Sequence, residues 1–520
     1  MTDAGGQSDP IQSEHDAQQL AAFGYKQELQ RSLGQFSNFA VPFSYISPSV
    51  GIFGLFGLGL SSGGPAFVWS WPLVFAGQFL VALVFAELAS HYPLAGSVYQ
   101  WARRLSSPST AWFIGWFYLF ATILTLTGVS FTMPGIITTL FPSIPNTPNV
   151  QVEITVVALA LSTLINVAGV RFAAYVNNAG VAAEIIGTIG FSIALLVLGH
   201  HQSLGVIFDT AGTQHTWSTG YVGAFTLAMF MSLWVIFGFD AAGTVGEETL
   251  NPSRRAPIGV LSAMGVVAVA GLLFLLANVL AIKSVPAVIA AIAKGSAPLP
   301  LIIGGALGAR ASDLYLVVVA AAIFAAMIAI QATCIRLLFS MGRDNQLPFS
   351  NLWRVVHPTF ETPMWAGIAV GLLAMLPLAV SQQIGVVTAG ATGMIYLCYL
   401  LTCLVVFAAR RRGWPRTPAH FNLRRGAMPI TIVAILWPAV MLINFAWPRA
   451  ATNPAFGSAF PSIANAPILG GAPIYELSVA VVLFVGVVYW FLVQRHRVDT
   501  HFTASEAVAS GPEMSAPLIH

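Results

Sequence analysis

The sequence predicts an all-α membrane protein with many transmembrane helices, and three observations support this fold class. Apolar residues form 57% of the 520-residue chain, and the mean hydropathy is +0.78. Charged residues form only 8%, against about 25% in soluble domains. The apolar residues fall into twelve long stretches, each near the roughly 20 residues that a membrane-spanning helix needs. A soluble protein of this composition would aggregate, and a β-barrel would show short alternating strands.

The twelve predicted spans form a transmembrane domain between two polar tails. We expect the tails over residues 1–34 and 499–520 and the transmembrane domain over residues 35–498. The predicted spans cover residues 36–60, 67–90, 110–140, 153–170, 174–199, 220–246, 257–282, 312–341, 363–380, 385–409, 428–447 and 474–493.

The positions of the basic residues predict the orientation. With twelve spans, 18 of the 22 lysines and arginines fall on the side shared by both tails. Only Lys283, Lys294, Arg310 and Arg449 fall on the opposite side. Because loops rich in Lys and Arg stay in the cytoplasm, we expect a multi-pass protein of the cytoplasmic membrane with both termini cytoplasmic.

A short segment after the second span has an amphipathic pattern. Residues Ala95–Arg104 combine apolar residues with two arginines at the end. Tyr99 and Trp101 are of the types that favour the membrane–water interface. We therefore expect a short helix along the membrane surface, anchored by these two rings.

The first span contains a predicted interruption. Pro48 lacks a backbone N–H group and clashes with the preceding turn of a helix, and Gly51 follows closely. Freed backbone groups are tolerated in a membrane only where they are buried in protein or line a polar cavity. We therefore predict a substrate-binding site at this break. Its predicted members are Ile46, Ser47, Ser49, Val50, Gly51 and Ile52.

The sixth span contains a second predicted interruption. Its stretch Phe237–Gly243 holds two glycines and Asp240 within an apolar segment. A charge at this depth costs about 2.5–3.5 kcal/mol on insertion scales, so Asp240 should face a cavity or a partner. It either contacts the ammonium group of a substrate or bonds unwound backbone amides. The predicted members of the site are Trp234, Phe237, Gly238, Phe239, Asp240 and Ala241.

The two interrupted spans are the first members of two five-span units. We place these units at residues 35–200 and 219–410, followed by two further helices over residues 427–494. Broken helices at corresponding positions indicate an inverted-repeat transporter with its substrate between them. The amino ends of the broken helices can bind a carboxylate, and the unwound carbonyl groups can bind an ammonium group. A zwitterionic substrate, such as an amino acid, therefore matches this site. Two kinks without a ligand are the alternative.

Glu184 in the fifth span is the candidate for ion coupling. Asn177, Gly180 and Gly187 share its helix face, and small residues there permit close helix packing. Glu184 should therefore face the helix bundle, where a buried carboxyl can bind and release a proton. We predict a proton-coupling role, with a structural, hydrogen-bonded acid as the alternative.

Three further carboxylates lie at the predicted cytoplasmic ends of spans. Glu87 ends the second span, and Glu247 and Glu248 end the sixth, close in sequence to Arg254. We predict a cytoplasmic gate of ion pairs that form and break as the repeats move. A solvated helix end is the alternative.

These stretches resemble the amino acid–polyamine–organocation (APC) superfamily, in its amino acid/choline permease branch. The resemblance covers roughly residues 30–495, and its matching stretches are Ser47–Phe53, Ala86–Trp101 and Phe237–Asn251. It implies the leucine-transporter-type fold, with two inverted five-helix repeats plus two extra helices. It also implies that substrate lies between the first and sixth spans, with help from the third, eighth and tenth.

The resemblance extends to single positions. Ser49-Val50-Gly51 stand where many relatives have Gly-Ser-Gly, and only the last glycine is shared. Trp234 and Asp240 match a gating tryptophan and a glutamate at the break of the arginine/agmatine exchangers. Glu184 stands where some proton-coupled relatives have a lysine. Trp234 is therefore expected to cap the substrate, with a lipid-facing or core tryptophan as the alternative.

We expect a secondary active transporter that binds and releases an amino acid or a related amine such as γ-aminobutyrate. We expect alternating access, with a proton as the coupling ion. An amino acid/polyamine exchanger or a choline-type organocation permease is the alternative. The ten histidines fall in predicted loops, span ends or tails, so no enzyme is expected. We expect no cofactor, metal or nucleic acid, since neither a GxxxxGK loop nor a cysteine metal motif is present.

Overall fold

The computed structural model describes residues 10–216, 219–380, 384–447 and 474–497. Over these ranges the chain is helical, and its strand-like pairing is limited to a single bridge between Leu33 and Thr249. The predicted C-terminal tail and Arg449 lie outside the described residues. The protein is therefore all-α across the part of the chain that contains the predicted spans.

The α-helices of the described ranges are numbered here in chain order. They are α1 (Pro10–Ala22), α2 (Gln35–Ile46), α3 (Pro48–Gly63), α4 (Ser70–His91), α5 (Ser97–Leu105), α6 (Pro108–Ser130), α7 (Met133–Leu140), α8 (Pro148–Val167), α9 (Val170–Leu198), α10 (Tyr221–Val235), α11 (Ala241–Thr244), α12 (Pro252–Leu280), α13 (Val285–Ala293), α14 (Pro298–Leu307), α15 (Ala309–Arg343), α16 (Ser350–Trp353), α17 (Met364–Val380), α18 (Ile384–Arg411), α19 (Ala427–Ala446) and α20 (Ile474–Leu492).

Ten helical segments in the described ranges are long and apolar enough to cross a membrane. Each of them coincides with a predicted span, and α2 with α3 counts as one such segment. The predicted sixth and ninth spans contain shorter apolar helices, α10 with 15 residues and α17 with 17. The polytopic helical fold is confirmed, while the total of twelve spans stays a prediction.

Helix α5 forms where the amphipathic segment was predicted, but its aromatic rings do not lie on the surface. Tyr99 is 1% exposed and Trp101 is 0% exposed. The Trp101 ring packs edge-on against Phe85, with ring centroids 5.3 Å apart, and the Tyr99 hydroxyl donates to Asp344 at 3.0 Å. The prediction of two interfacial anchors is wrong, because α5 packs against α6 and α18 within the bundle.

Both predicted interruptions are present. Helix α2 ends at Ile46 and α3 begins at Pro48, with Ser47 between them in the left-handed region at φ +37°. Pro48 takes the first helical position, where a missing N–H group costs nothing. Helix α10 ends at Val235 and α11 begins at Ala241, and Gly238 between them has φ +92°. Only glycine adopts this conformation without strain.

The two interruptions lie against each other. The rings of Tyr45 and Phe237, one from each break, have centroids 6.1 Å apart. A Cβ atom at Gly238 would collide with the Tyr45 ring. A Cβ atom at Gly51 would lie 2.5 Å from Cγ2 of Val235. Glycine at both positions therefore allows the two interruptions to approach each other closely.

We predict that Gly51→Ala destabilises the protein. Its new Cβ atom meets Val235, whose branched side chain is stiff at χ1, and overpacking of this kind costs about 1–3 kcal/mol. Gly54→Ala is the matched control, because its Cβ atom would lie 3.6 Å from Thr132, an ordinary contact. Thermal unfolding in detergent measures both variants, and equal midpoints would contradict the prediction.

Candidate functional site

A small cavity lies between the two helix breaks. Its volume is about 10 Å³, which is room for about one water molecule. Its walls come from α2, α3, α6, α10 and α15 together with the two interruptions. The lining residues are Tyr45, Ile46, Ser47, Val50, Gly51, Thr125, Val129, Trp234, Phe237 and Ala326. This form of the protein is closed, so a solute the size of an amino acid requires the walls to move apart.

The cavity includes half of the twelve residues that the sequence assigned to substrate binding. The lining members are Ile46, Ser47, Val50, Gly51, Trp234 and Phe237. The members that do not line it are Ser49, Ile52, Gly238, Phe239, Asp240 and Ala241. The sequence analysis missed Tyr45, Thr125, Val129 and Ala326. Tyr45 adjoins the first break and Thr125 is a polar residue within an apolar span, so these two carried a usable signal.

The walls are aromatic, aliphatic and hydroxyl-bearing. Phe237 touches two other lining rings, with centroid distances of 6.1 Å to Tyr45 and 5.7 Å to Trp234. The hydroxyl of Thr125 donates to the carbonyl oxygen of Ala121 at 2.8 Å, within its own helix. None of the described residues that line the cavity is charged. The acidic side chains of this region, Glu184 and Asp240, lie one layer further out and are buried.

Glu184 of α9 binds the beginning of α3. Its Oε1 atom accepts hydrogen bonds from the Oγ atoms of Ser47 and Ser49, both at 2.7 Å, and from the backbone N–H of Ser49 at 3.2 Å. The side chain is fully buried, and Oε2 has no hydrogen-bond partner among the described residues. A carboxylate suits this place because the free N–H groups and the dipole of a helix amino end favour negative charge.

The face of α9 that carries Glu184 packs directly on α15. A Cβ atom at Gly180 would lie 2.5 Å from Cβ of Ala325, and one at Gly187 would collide with Val318. Glu184 therefore points into the bundle, as the spacing of the small residues indicates. Its contact with Ser47 matters for the chemistry, because Ser47 also lines the cavity.

Asp240 stands at the second break but outside the cavity. Its Oδ2 atom accepts hydrogen bonds from the hydroxyl groups of Tyr118 and of Ser97, the latter at 3.1 Å. Its Oδ1 atom accepts from the Tyr399 hydroxyl at 2.6 Å. The same hydroxyl accepts from the backbone N–H of Gly238 at 2.9 Å. Asp240 thus reaches the unwound backbone through Tyr399, and it does not face the cavity.

The two glutamates that follow α11 form buried ion pairs with α15. Glu247 binds Arg343 through two hydrogen bonds of 2.8 and 2.9 Å. Glu248 binds Arg336 through two hydrogen bonds of 2.9 and 3.0 Å. All four side chains are buried. The carboxylates therefore pair with arginines that are distant in sequence, and they are not solvated.

A third buried pair joins the second and tenth predicted spans. Glu87 of α4 binds Arg410 of α18, and its Oε1 atom accepts from the backbone N–H of Leu423 at 3.0 Å. Arg254, which the sequence analysis placed with these carboxylates, is exposed. We call the end of the bundle that carries Arg103, Arg336, Arg343 and Arg410 the arginine face.

Comparisons with known proteins agree with this architecture. Residues 33–473 match the family model described as amino acid permease. The chain is 27% identical to "Amino-acid permease BAT1 homolog" of Oryza sativa subsp. japonica, over 82% of this chain and 87% of the relative. It is 26% identical to "Amino-acid permease BAT1" of Arabidopsis thaliana, over 83% and 88%. It is 24% identical to "Choline transporter" of Saccharomyces cerevisiae, over 81% and 76%.

The matched range contains both helix breaks, the cavity between them, and the buried carboxylates beside them. The relatives carry the names of permeases and transporters, in keeping with a multi-pass membrane protein whose broken helices enclose a small cavity. The chain belongs to the amino acid permease family of the APC superfamily.

Proposed function

We propose that this protein is a secondary active transporter that carries an amino acid or a related amine, such as γ-aminobutyrate, by alternating access. The observation that carries the proposal is the cavity enclosed by both helix breaks. Interrupted helices offer backbone N–H groups to a carboxylate and carbonyl groups to an ammonium. The names of the plant relatives, which are amino acid permeases, support the same class of substrate.

Alternating access requires the walls of the closed cavity to separate at one end and then at the other. We place the arginine face in the cytoplasm of a cell bounded by the cytoplasmic membrane, because positive charge favours that side. The ion pairs of Glu247 and Glu248 then form the cytoplasmic gate, with Arg343 and Arg336 as their partners in place of Arg254. Opening toward the cytoplasm breaks these pairs as the two five-helix repeats move.

Glu184 is the proposed proton-coupling residue. In the closed form its carboxylate oxygen accepts from Ser47 and Ser49 at the start of α3. Protonation removes the negative charge that holds these donors, and charge-assisted hydrogen bonds are about twice as strong as neutral ones. Because Ser47 also lines the cavity, a proton on Glu184 and a solute in the cavity act on the same short segment.

A choline-type organocation permease is the second candidate. Three lining rings, those of Tyr45, Trp234 and Phe237, meet at the cavity, and aromatic faces attract organic cations. The yeast relative named as a choline transporter supports this candidate. An exchanger of amino acids and polyamines would use the same walls.

Uptake by the purified protein in liposomes tests the proposed function. We expect saturable uptake of radiolabelled alanine or γ-aminobutyrate that is stimulated when the same solute is loaded inside. Stronger uptake of choline or putrescine would favour the second candidate or the exchanger. Uptake that rises linearly with concentration, or none with the whole panel, would overturn the carrier mechanism.

We predict that Glu184→Gln abolishes the response of uptake to an imposed pH gradient. Glutamine keeps the size of the side chain and can still accept hydrogen bonds from Ser47 and Ser49. It cannot bind a proton at physiological pH. Glu153→Gln is the control, because Glu153 is an exposed acid at the start of α8. Uptake of the Glu184 variant that still follows the gradient as the control does would rule out this role.

We predict that Glu248→Gln lowers the stability of the protein by about 3–5 kcal/mol, since it leaves the buried charge of Arg336 uncompensated. Arg254→Gln should have little effect, because Arg254 is exposed. Thermal unfolding in detergent compares both variants with the wild type. Similar shifts for the two variants would argue against a buried pair at the gate.

A further inference from the structure

We propose that the segment of residues 16–33, which precedes the first span, is a latch that holds the arginine face closed. The sequence analysis assigned this segment to a polar tail. In the structure it is folded against the bundle, and Asp16, Leu20, Tyr25 and Leu29 are each at most 3% exposed. The proposal rests on the proposed alternating access, and it adds a regulatory element that lies outside the spans.

One side of the latch binds the chain that follows α11. The backbone N–H groups of Ser32 and Leu33 donate to the carbonyl oxygen of Glu248 at 2.9 and 2.8 Å. The Leu250 N–H donates back to the carbonyl oxygen of Leu33 at 3.1 Å. The side chain of Gln27 donates to the carbonyl oxygen of Glu247 at 3.0 Å. These bonds attach the latch to the segment that carries the two gate glutamates.

The helical start of the latch reaches the beginning of α12. The Asp16 carboxylate accepts from the backbone N–H of Asn251 at 2.9 Å, and Gln19 donates to the Ser253 hydroxyl at 2.7 Å. Arg31 lies 3.6 Å from Asp16 and donates to the carbonyl oxygen of Thr249 at 3.1 Å. This side of the latch therefore contacts the segment that joins the sixth span to the seventh.

The other side of the latch binds the end of α15. The Tyr25 hydroxyl donates to Oδ1 of Asp344 at 2.9 Å, and Arg103 of α5 lies 2.8 Å from Oδ2 of the same residue. The guanidinium group of Arg343 stacks on the Tyr25 ring, 3.8 Å from its centroid. Arg343 is also the partner of Glu247. One arginine thus joins the latch to a gate ion pair.

The two attachment sites lie on elements that have to separate when this face opens. Residues 246–253 continue the sixth span into the seventh, whereas Asp344 follows α15, and the cavity lies between α10 and α15. The latch bridges the two groups of elements, and Tyr25 supplies its contact with the end of α15. An open arginine face therefore requires Tyr25 to leave Asp344 and Arg343, so the latch favours the closed form.

The Tyr25 phenol keeps its proton across physiological changes of pH. Burial, and then the charge of Asp344, raise the pKa of the Tyr25 phenol to about 12, although Arg103, Arg343 and Arg104 oppose the rise. A raised pKa means that the phenol stays protonated and remains a hydrogen-bond donor until the pH climbs to this value. The latch and the proton site at Glu184 are therefore separable by experiment.

The native cysteines report the opening of this face without any transport measurement. Cys334 is buried on α15, between the cavity residue Ala326 and Arg343 at the arginine face. Its thiol reacts with N-ethylmaleimide only when the structure opens. Replacing Cys398 and Cys403 by alanine leaves Cys334 as the single reporter. Since alkylation needs no substrate, its outcome is independent of whether the proposed transport is found.

We expect Tyr25→Ala to speed the alkylation of Cys334 by about 10- to 100-fold, because this variant loses both the hydrogen bond to Asp344 and the ring that stacks on Arg343. Tyr25→Phe keeps the ring on Arg343 and should give a smaller acceleration. Tyr175→Ala is the matched control, because Tyr175 is 73% exposed on α9, and it should react at the wild-type rate.

An unchanged rate in Tyr25→Ala would overturn the latch, and so would an equal acceleration in Tyr175→Ala, which would indicate general loosening. Should Tyr25→Ala fail to fold, Tyr25→Phe decides, since it loses only the hydroxyl. A wild-type rate in that variant, measured at pH 6 and pH 8, would then refute the proposal.

Discussion

A helix that is interrupted inside a membrane leaves backbone groups that no water can satisfy, and the architecture of this protein follows from that constraint. At the first break, the backbone N–H of Ser49 at the start of α3 finds an acceptor in Glu184. At the second, the N–H of Gly238 finds the hydroxyl of Tyr399, which Asp240 orients. Each break is thus completed by a carboxylate acting directly or through a hydroxyl. Because both breaks are stabilised in this way, they can lie side by side and enclose the cavity.

Buried carboxylates also have close partners at the arginine face, where those partners are arginines. Desolvation makes a buried ion pair a weak source of net stability, yet an incomplete pair is strongly unfavourable. Pairs such as Glu247 with Arg343 and Glu248 with Arg336 therefore act as all-or-none contacts. A closed face in which these buried charges are matched can be stable and still open as a unit. The N-terminal segment adds Tyr25 to the same set of contacts.

Local chemistry made the breaks predictable, and distant partners made the rest of the site unpredictable. Pro48 and the glycines of the sixth span act on their own backbone, so the positions of both interruptions could be inferred from the sequence. The partners of Glu248 could not, because Arg254 is six residues away in sequence whereas Arg336 is 88 residues away. The prediction that Tyr99 and Trp101 are interfacial anchors failed for a related reason. An amphipathic pattern shows that one face of a helix is apolar, but either lipid or protein can cover that face.

Ser47 is shared by two sites, since its hydroxyl donates to Glu184 and the residue also lines the cavity. In the proposed mechanism, Glu184 is the one residue that binds the coupling proton, which gives one proton for each solute molecule. The free energy available for accumulation is then that of a single proton moving down its gradient. Each pH unit supports roughly a tenfold concentration ratio of the solute, since one unit is worth about 1.36 kcal/mol.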